Sequence, residues 1–188
     1  MKYFPLVLLL VFVSCKNEPK TETNTEPESE SQVHPSVSKM WETYVTAHPK
    51  FKDAGIPEVD FFHNNREDAN RLAELTIEGK KQASSGLYSL YQQYQVDLPT
   101  VGTKQIVTDF DGKAKAIIEN TQVDTIPFNQ VSKEYAQLDM GTDVEPLEKW
   151  RKAHWDFFES FLKESGGRPT EDMLVVCVQF KTIWPKLD

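Results

Sequence analysis

Residues 79–85 read GKKQASS, a stretch in which a helix ends and two lysines precede two serines. Gly79 is a good helix C-cap residue because glycine adopts the left-handed conformation without strain. The helix before it is predicted to start near 64–67, with an apolar stripe of Ala69, Leu72, Ala73 and Ile77. A second helix is predicted over 85–95, with one face made of Leu87, Leu90, Tyr91 and Tyr94. The stretch therefore lies between two predicted helices.

The flanking sequence alternates between helical and strand patterns. Apolar periodicity predicts a helix over 36–48, and strands over 105–108 and 114–123 enclose Asp111-Gly112, a dipeptide typical of a tight hairpin turn. Thr142-x-x-Glu145 resembles a capping box. It precedes a helix that ends at 166–167 and has an apolar face of Leu147, Trp150, His154, Phe157, Phe158, Phe161 and Leu162. Residues 173–182 (MLVVCVQFKT) are predicted to form an interior strand. This order predicts an α+β fold with helices flanking a mostly antiparallel sheet or barrel.

The GKKQASS stretch resembles the G-[KR]-K-T-x-T motif of ASCH domains, which have a PUA-like β-barrel fold. Further stretches resemble other ASCH segments in the same order along the chain: 97–102 (DLPTVG), 116–119 (AIIE), 127–131 (PFNQV), 145–158 (EPLEKWRKAHWDFF) and 171–177 (EDMLVVC). The resemblance runs from about Phe61 to Pro185. It implies a PUA-like, mostly antiparallel β-barrel with flanking helices.

The resemblance also implies a candidate site. Some ASCH proteins hydrolyse the amide of N(4)-acetylcytidine, and ribonuclease activity is described for others. Their functional lysine, second threonine and downstream glutamate correspond here to Lys81, Ser84 and Asp139. In such a site the lysine is the base for the hydroxyl nucleophile, and the carboxylate protonates or orients the leaving amine. The candidate ligand-binding residues are Lys80, Ser85, Trp150, Arg151 and His154.

This chain departs from the family motif at three places. Serine at 84 preserves the nucleophile, whereas Asp139 is about one C–C bond shorter than glutamate, and a displacement of around 1 Å can lower a rate on the order of a hundredfold. Gln82 replaces the first threonine and removes a hydroxyl. These departures leave open a protein that binds a ligand without turning it over.

Each candidate residue also has a purely structural interpretation. The lysines could follow a helix C-terminus, where cations favour the dipole, and the serines could cap the next helix. Asp139 could be a solvated loop carboxylate. Trp150 and His154 could be core residues with a satisfied imidazole. Arg151 could pair with a ligand phosphate or with Glu119, and Cys177 is expected to be an inert buried thiol.

The N-terminus has the pattern of a bacterial lipoprotein signal. A positive start precedes an apolar run over 4–13 that is too short to span a bilayer, and the run ends at Ser14-Cys15. We expect residues 1–15 to be a signal peptide with Cys15 as the lipidation site; the alternative is an ordinary cleaved signal with a chance cysteine. Residues 16–35 are expected to be a disordered acidic tether, and residues 36–188 the ASCH-like domain. The predicted location is the extracytoplasmic cell envelope, with the outer membrane favoured over the inner one.

Charge and motif content exclude several functions. The net charge is −8, and residues 36–188 alone carry 18 basic and 24 acidic side chains, which argues against duplex DNA as a partner. The sequence has no HExxH spacing, C-x-x-C pair, glycine-rich phosphate loop or G-x-S-x-G elbow, so no metal or cofactor is expected.

Three hypotheses about the function remain: an enzyme, a binding module and a structural scaffold. The first is a hydrolase of a nucleoside-like amide or, less favoured, a ribonuclease. The second is a non-catalytic module that binds a nucleoside-like small molecule or single-stranded RNA. The third is a degenerate scaffold that offers a protein interface. On the first hypothesis, Lys81 Nζ should lie within about 3 Å of Ser84 Oγ, or one water away.

Overall fold

The computed structural model describes residues 33–164 and 166–186. The predicted signal peptide, Cys15 and residues 16–32 of the predicted tether lie outside this range. The first helix starts at Pro35, one residue before the predicted domain boundary, and the His34 imidazole accepts a hydrogen bond from the Ser36 backbone N–H at its N-terminus. Within the described residues, no helix combines the length and apolarity needed to cross a membrane.

The described ranges contain five α-helices and five strands. In chain order they are α1 (Pro35–Ala47), β1 (Glu58–Asp60), α2 (Arg66–Ile77), β2 (Ala83–Leu87), α3 (Tyr88–Tyr94), β3 (Lys104–Thr108), β4 (Ala114–Pro127), α4 (Lys133–Met140), α5 (Pro146–Glu164) and β5 (Leu174–Trp184). Short 3-10 turns cover Pro49–Phe51 and Phe128–Gln130.

The strands form one sheet in the order β1-β3-β4-β5-β2. All its pairings are antiparallel except the short parallel pairing of β1 with β3. The long strands β4 and β5 shift register twice along their ladder, and such bulges bend strands, so the sheet curls into a half-barrel. The α+β, PUA-like prediction is confirmed. Within the described residues the curled sheet has β1 and β2 as its edges and is not a closed barrel.

Helices cover both faces of the sheet, because neighbouring strand residues point to opposite sides. Ile106 of β3 is buried against α1, whereas its neighbour Val107 is buried in the cluster that includes Ala73 of α2. A third cluster forms where α4 and α5 pack on β2 and β5, and its largest buried side chains are Phe128, Trp150 and Phe158. The predicted helix over 36–48, the predicted helix that starts near 64–67 and stops at Gly79, the hairpin at Asp111-Gly112 and the interior final strand are all observed.

The prediction of a helix over 85–95 is wrong in its first part. Residues 83–87 form β2, which pairs with Val175–Gln179 of β5, and the helix begins only at Tyr88. Pairing with an apolar strand buries Ala83 and Leu87, which outweighs the local helical pattern. The interpretation of Ser84 and Ser85 as helix caps is therefore also wrong.

The predicted capping box at Thr142 is not formed. The Thr142 hydroxyl accepts a hydrogen bond from the Val144 backbone N–H at 3.2 Å, and α5 begins later, at Pro146. The preceding helix α4 was not predicted, because its eight residues offer too little periodicity for recognition. Asp139 consequently lies on a helix and not in a solvated loop.

Candidate functional site

Two glycines bring the GKKQASS segment against the end of α4. Gly79 has a φ of 66°, and the turn it makes lets the backbone N–H groups of Lys80 and Lys81 donate to the Leu75 carbonyl. Gly141, with a φ of 63°, ends α4; a Cβ there would lie 3.4 Å from the Lys81 backbone nitrogen. This close approach places Lys81 next to Asp139.

Lys81 and Asp139 form a buried ion pair at the centre of the site. The Lys81 side chain is 4% exposed and that of Asp139 is 2% exposed, with 2.5 Å between Nζ and Oδ1. The ammonium also donates to the carbonyls of Ala83 at 2.8 Å and Asp139 at 2.9 Å. Its three N–H groups are therefore all used by protein acceptors. The interpretation of Lys81 as a surface lysine that follows a helix end is wrong.

The second carboxylate oxygen of Asp139 receives hydrogen bonds from two further elements. Ser85 Oγ of β2 donates to Oδ2 at 2.6 Å, and Trp150 Nε1 of α5 donates to it at 2.9 Å. His154 Nε2 lies 3.3 Å from the same oxygen. The carboxylate thus ties β2, α4 and α5 together at one point.

The surroundings of Asp139 hold it in the ionised form. Burial by itself would raise the pKa of this carboxyl group, but the Lys81 ammonium and the His154 imidazole outweigh that effect and hold its pKa well below the ordinary value. A carboxylate with so low a pKa is a weak proton acceptor. Asp139 is therefore better suited to position its donors than to remove a proton.

His154 faces an acceptor at each ring nitrogen. Nδ1 lies 2.9 Å from the Trp150 carbonyl oxygen and Nε2 lies 3.3 Å from Asp139. A carbonyl and a carboxylate only accept hydrogen bonds, so both contacts are satisfied when both nitrogens carry protons. The ring also stacks on Trp150, with centroids 4.4 Å apart. Trp150 is therefore a core residue that donates to Asp139, and His154 lines the small cavity beside it.

The two serines differ in their hydrogen bonds. Ser85 Oγ is bound to Asp139, whereas the Ser84 hydroxyl has no hydrogen-bond partner among the described residues and lines two adjoining cavities. No hydrogen bond joins Lys81 Nζ to Ser84 Oγ in the described structure, so the direct contact expected of a lysine base is not present. The catalytic roles of Lys81, Ser84 and Asp139 stay predictions.

Tyr135 and Cys177 complete the buried network behind the serines. The Tyr135 hydroxyl donates to the Ser84 carbonyl at 2.7 Å and lies 3.1 Å from Ser85 Oγ. Burial and nearby Asp139 raise the pKa of Tyr135 well above its ordinary value. Burial is also the main reason why the pKa of the Cys177 thiol rises to about 12, which keeps this buried side chain protonated, as an inert thiol should be.

The site opens into a cleft made of two adjoining cavities. The small cavity, of about 120 Å³, contains Lys81, Asp139 and His154. The large cavity, of about 440 Å³, extends from it towards β1 and the segment after α3. Five residues line both: Phe62, His63, Ser84, Ser85 and Phe157. Three carboxylates, those of Glu58, Asp60 and Asp97, line the large cavity, and no lysine or arginine is among its lining residues.

Some predicted ligand-binding residues lie away from the cleft. Lys80 is exposed and pairs with Glu78 at 2.7 Å. Arg151 is exposed on α5, where its guanidinium lies 3.4 Å from the Asn129 carbonyl oxygen. Glu119, proposed as its alternative partner, pairs with Lys104 and Lys181 on the sheet. Gln82, at the position of the motif's first threonine, donates to the Gly79 carbonyl and does not line the cleft.

Sequence reasoning missed the cleft residues Phe62, His63 and Phe157, and it missed Tyr135 in the buried network behind the serines. Phe62 and His63 lie in the loop between β1 and α2, which carries no periodic signal, and Tyr135 lies on the unpredicted helix α4. Phe157 was assigned only to the apolar face of α5. Tyr135 precedes Asp139 by four residues, a spacing that indicates a shared helix face once α4 is recognised.

Comparisons with known proteins identify the family of this fold. The ASCH domain model matches residues 58–184, which include the GKKQASS segment, Asp139 and the end of β5. The chain belongs to the ASCH domain family. Family membership makes it a PUA-like module of the RNA-binding or hydrolase type.

Two solved structures resemble this ASCH domain closely. An ASCH domain from Lactobacillus crispatus is 32% identical with a TM-score of 0.73, and the match covers 81% of this chain and 97% of that one. Protein EF3133 from Enterococcus faecalis is 30% identical with a TM-score of 0.71, and the match covers 79% of this chain and 88% of that one. No curated protein matches the chain.

The described part of this ASCH domain contains no cluster of metal-ligating side chains. None of its histidine, cysteine, aspartate and glutamate side chains form a group of three or more that could hold a metal ion. The charged residues of the small cavity are instead paired with one another.

The buried ion pair should make stability depend on pH in acid. The folded-state pKa of Asp139 lies below its unfolded value of about 3.9. Its contribution to stability is therefore complete above that value and is lost as the pH falls through the folded-state pKa. We expect the free energy of unfolding, measured by urea titration from pH 6 to pH 2, to fall more steeply for the wild type than for the Lys81→Met/Asp139→Leu variant. Parallel pH profiles for the two proteins would contradict this prediction.

Proposed function

We propose that the cleft binds an uncharged, nucleoside-like small molecule, and that the Lys81–Asp139 pair supports the shape of the site and does not itself act on the ligand. The observation that carries this proposal is the state of Lys81. All three of its N–H groups are donated to protein oxygens, so it has no lone pair or free donor to offer to Ser84.

The walls of the cleft suit a flat ring. The His63 and Phe157 rings pack against each other with centroids 4.7 Å apart, and Phe62 stacks on Phe180 at 6.1 Å. Aromatic side chains offer faces on which any nucleobase can stack. The Ser84 hydroxyl, which has no hydrogen-bond partner in the described part of the chain, lies in the same cleft and can donate to or accept from a polar substituent on such a ring.

The charge of the cleft favours a small uncharged ligand over RNA. The large cavity has three carboxylates and neither lysine nor arginine among its lining residues, whereas a groove for single-stranded RNA follows the phosphates with positive charge. Its volume of about 440 Å³ falls within the range of roughly 300–1,000 Å³ of small-molecule sites.

Calorimetric titration of residues 33–188 with cytidine, N(4)-acetylcytidine and a single-stranded RNA oligonucleotide tests this proposal. We expect a nucleoside to bind and the oligonucleotide to bind more weakly. Phe157→Ala should weaken nucleoside binding about fivefold or more, because stacking contributes about 1–3 kcal/mol per base and 1.4 kcal/mol corresponds to tenfold in affinity. Tyr94→Ala is the matched control, since Tyr94 is an exposed aromatic residue that lines neither cavity. Tighter binding of the oligonucleotide, or no binding of any nucleoside, would refute the proposal.

Amide hydrolysis is the second candidate function. It is favoured by the Ser84 hydroxyl, which none of the described residues binds and which shares the small cavity with Lys81 and Asp139. That cavity has room for the water that a relayed proton transfer would need. Incubation with N(4)-acetylcytidine, followed by chromatography of the products, tests for amide hydrolysis. Release of cytidine by the wild type but not by Ser84→Ala would support it. Lys81→Met is informative only if circular dichroism shows that the variant is folded.

We also propose that the domain is held in the cell envelope by a lipid on Cys15, at the outer membrane in preference to the inner one. The support is the apolar run that ends at Ser14-Cys15 and the polar segment after it. Attached acyl chains contribute about 0.8 kcal/mol per buried methylene to membrane binding.

Replacing Cys15 with alanine in the full chain should move the protein from the membrane fraction to the soluble fraction without unfolding the domain. Ser14→Ala is the control and should leave the fractionation unchanged, because alanine keeps a small residue before the cysteine. Membrane association of the Cys15→Ala protein equal to that of the wild type would rule out the anchor.

A further inference from the structure

His63 occupies an unusual position in the cleft. It has a φ of 68°, in the left-handed region that non-glycine residues adopt rarely, although histidine does so more often than most. Its ring packs on Phe157 and lines both cavities. Residues held in this backbone region are concentrated at ligand sites.

The hydrogen bonds of Asn65 determine which nitrogen of His63 carries the proton. The Asp68 backbone N–H at the start of α2 donates to Asn65 Oδ1 at 2.9 Å, which identifies that atom as the oxygen. The amide nitrogen Nδ2 then lies 2.9 Å from His63 Nδ1 and 2.9 Å from Asp68 Oδ2. An amide N–H₂ group has two protons and donates both, so His63 Nδ1 must accept one of them.

The reversed orientation of the Asn65 amide is excluded by the same contacts. It would place N–H₂ against the Asp68 backbone N–H, donor against donor, and would bring Oδ1 against the Asp68 carboxylate, acceptor against acceptor. It would also remove the N-cap of α2, which contributes about 1 kcal/mol.

His63 therefore has its proton on Nε2. This N–H has no partner among the described residues, and no buried side-chain polar atom in the described structure lacks a hydrogen bond, so Nε2 is not buried, and it belongs to a residue that lines both cavities. We propose that His63 Nε2–H is a specificity-determining donor that binds a hydrogen-bond acceptor of the ligand, a carbonyl oxygen or an unprotonated ring nitrogen. This inference rests on the proposed function, because it needs a ligand in the cleft.

The two histidines of the cleft then have different roles. His154, with an acceptor at each nitrogen, has no free N–H and is held within the protein. Within the described residues, the His63 ring has a hydrogen bond at Nδ1 and none at Nε2. A ligand with an amino group at this position would place a second hydrogen-bond donor against the His63 N–H, and we expect it to bind more weakly than a ligand with an acceptor there.

Nitrogen-15 NMR of histidine-labelled protein tests the tautomer without any ligand. We expect one histidine to show a pyridine-like Nδ1 and a pyrrole-like Nε2, and we expect this signal to disappear in His63→Phe. The opposite tautomer, or equal populations of both, would overturn the inference. This readout does not depend on whether the cleft binds nucleosides.

Binding of N(4)-acetylcytidine tests the role of the donor. His63→Phe keeps a ring against Phe157 and removes the N–H, and we expect it to bind the nucleoside about fivefold to tenfold more weakly. His63→Asn, which tolerates a positive φ, is a second variant in case phenylalanine impairs folding. If the wild type binds and both variants bind equally well, the inference about His63 fails; if the wild type does not bind, the proposed function fails.

Discussion

Replacing Asp139 with alanine is expected to lower the free energy of unfolding by about 3–5 kcal/mol, because the Lys81 ammonium would stay buried without its counter-ion. The variant would also leave the Ser85 hydroxyl and the Trp150 indole N–H without their shared acceptor. Urea denaturation at neutral pH measures the effect. Asp143→Ala, an exposed aspartate just after α4, is the matched control and should change the free energy of unfolding by about 0.5 kcal/mol or less.

A double-mutant cycle separates the ion pair from the loss of packing. If the ion pair stabilises the fold, the double variant Lys81→Met/Asp139→Leu should lose less free energy of unfolding than the two single variants lose in sum. We expect a difference on the order of 2–3 kcal/mol. We do not expect the double variant to reach wild-type stability, since it also removes donors from the carbonyl groups of Ala83 and Asp139. Strictly additive losses would show that the interaction between Lys81 and Asp139 does not contribute to the free energy of unfolding.

Replacing Trp150 with alanine is expected to lower the free energy of unfolding by about 3–5 kcal/mol, because the side chain is fully buried against Phe128 and His154. Trp150→Phe separates the indole N–H from the rest of the ring. It keeps most of the packing but removes the donor to the ionised Asp139, a hydrogen bond that contributes about 1.5–3 kcal/mol.

Trp155→Phe is the matched control on the same helix. Trp155 packs on the same core cluster, and its indole N–H has no hydrogen bond within the described residues, so this change should lower the free energy of unfolding by about 1 kcal/mol or less. Equal losses in Trp150→Phe and Trp155→Phe would mean that the hydrogen bond to Asp139 adds no stability. Thermal unfolding followed by circular dichroism serves as an independent measurement.

Much of the fold follows from local patterns. The helices α1, α2 and α5 have a clear apolar periodicity, and the hairpin between β3 and β4 has the Asp-Gly turn that its geometry requires, with a φ of 78° at Gly112. The sequence was misleading at β2, where a stretch with helical spacing is a strand because β5 offers it a long apolar partner. The sequence did not indicate α4, because a helix of eight residues is too short to show a clear apolar periodicity.

The sequence predicted which residues make up the candidate site but not how they are bonded to one another. Resemblance to the family identified Lys81, Ser84, Ser85, Asp139, Trp150 and His154, and these residues do lie together. Their hydrogen bonds were not predictable, because they depend on which atoms the turn at Gly79 and the end of α4 bring within 3 Å. The proposed role of His63 depends on the loop between β1 and α2, where the sequence has no periodic pattern.

The sequence by itself determined the fold class, the family and the residue types of the site, since these depend on the order of apolar and polar residues along the chain. Only the tertiary structure decided that Lys81 is a fully bonded cation and that, within the described residues, the hydroxyl of Ser85 has a hydrogen-bond partner and that of Ser84 has none. The physical reason is that the use of a proton or a lone pair depends on distances between atoms of residues far apart in sequence. Lys81 and Asp139 are separated by 58 positions, and only the fold brings them into contact.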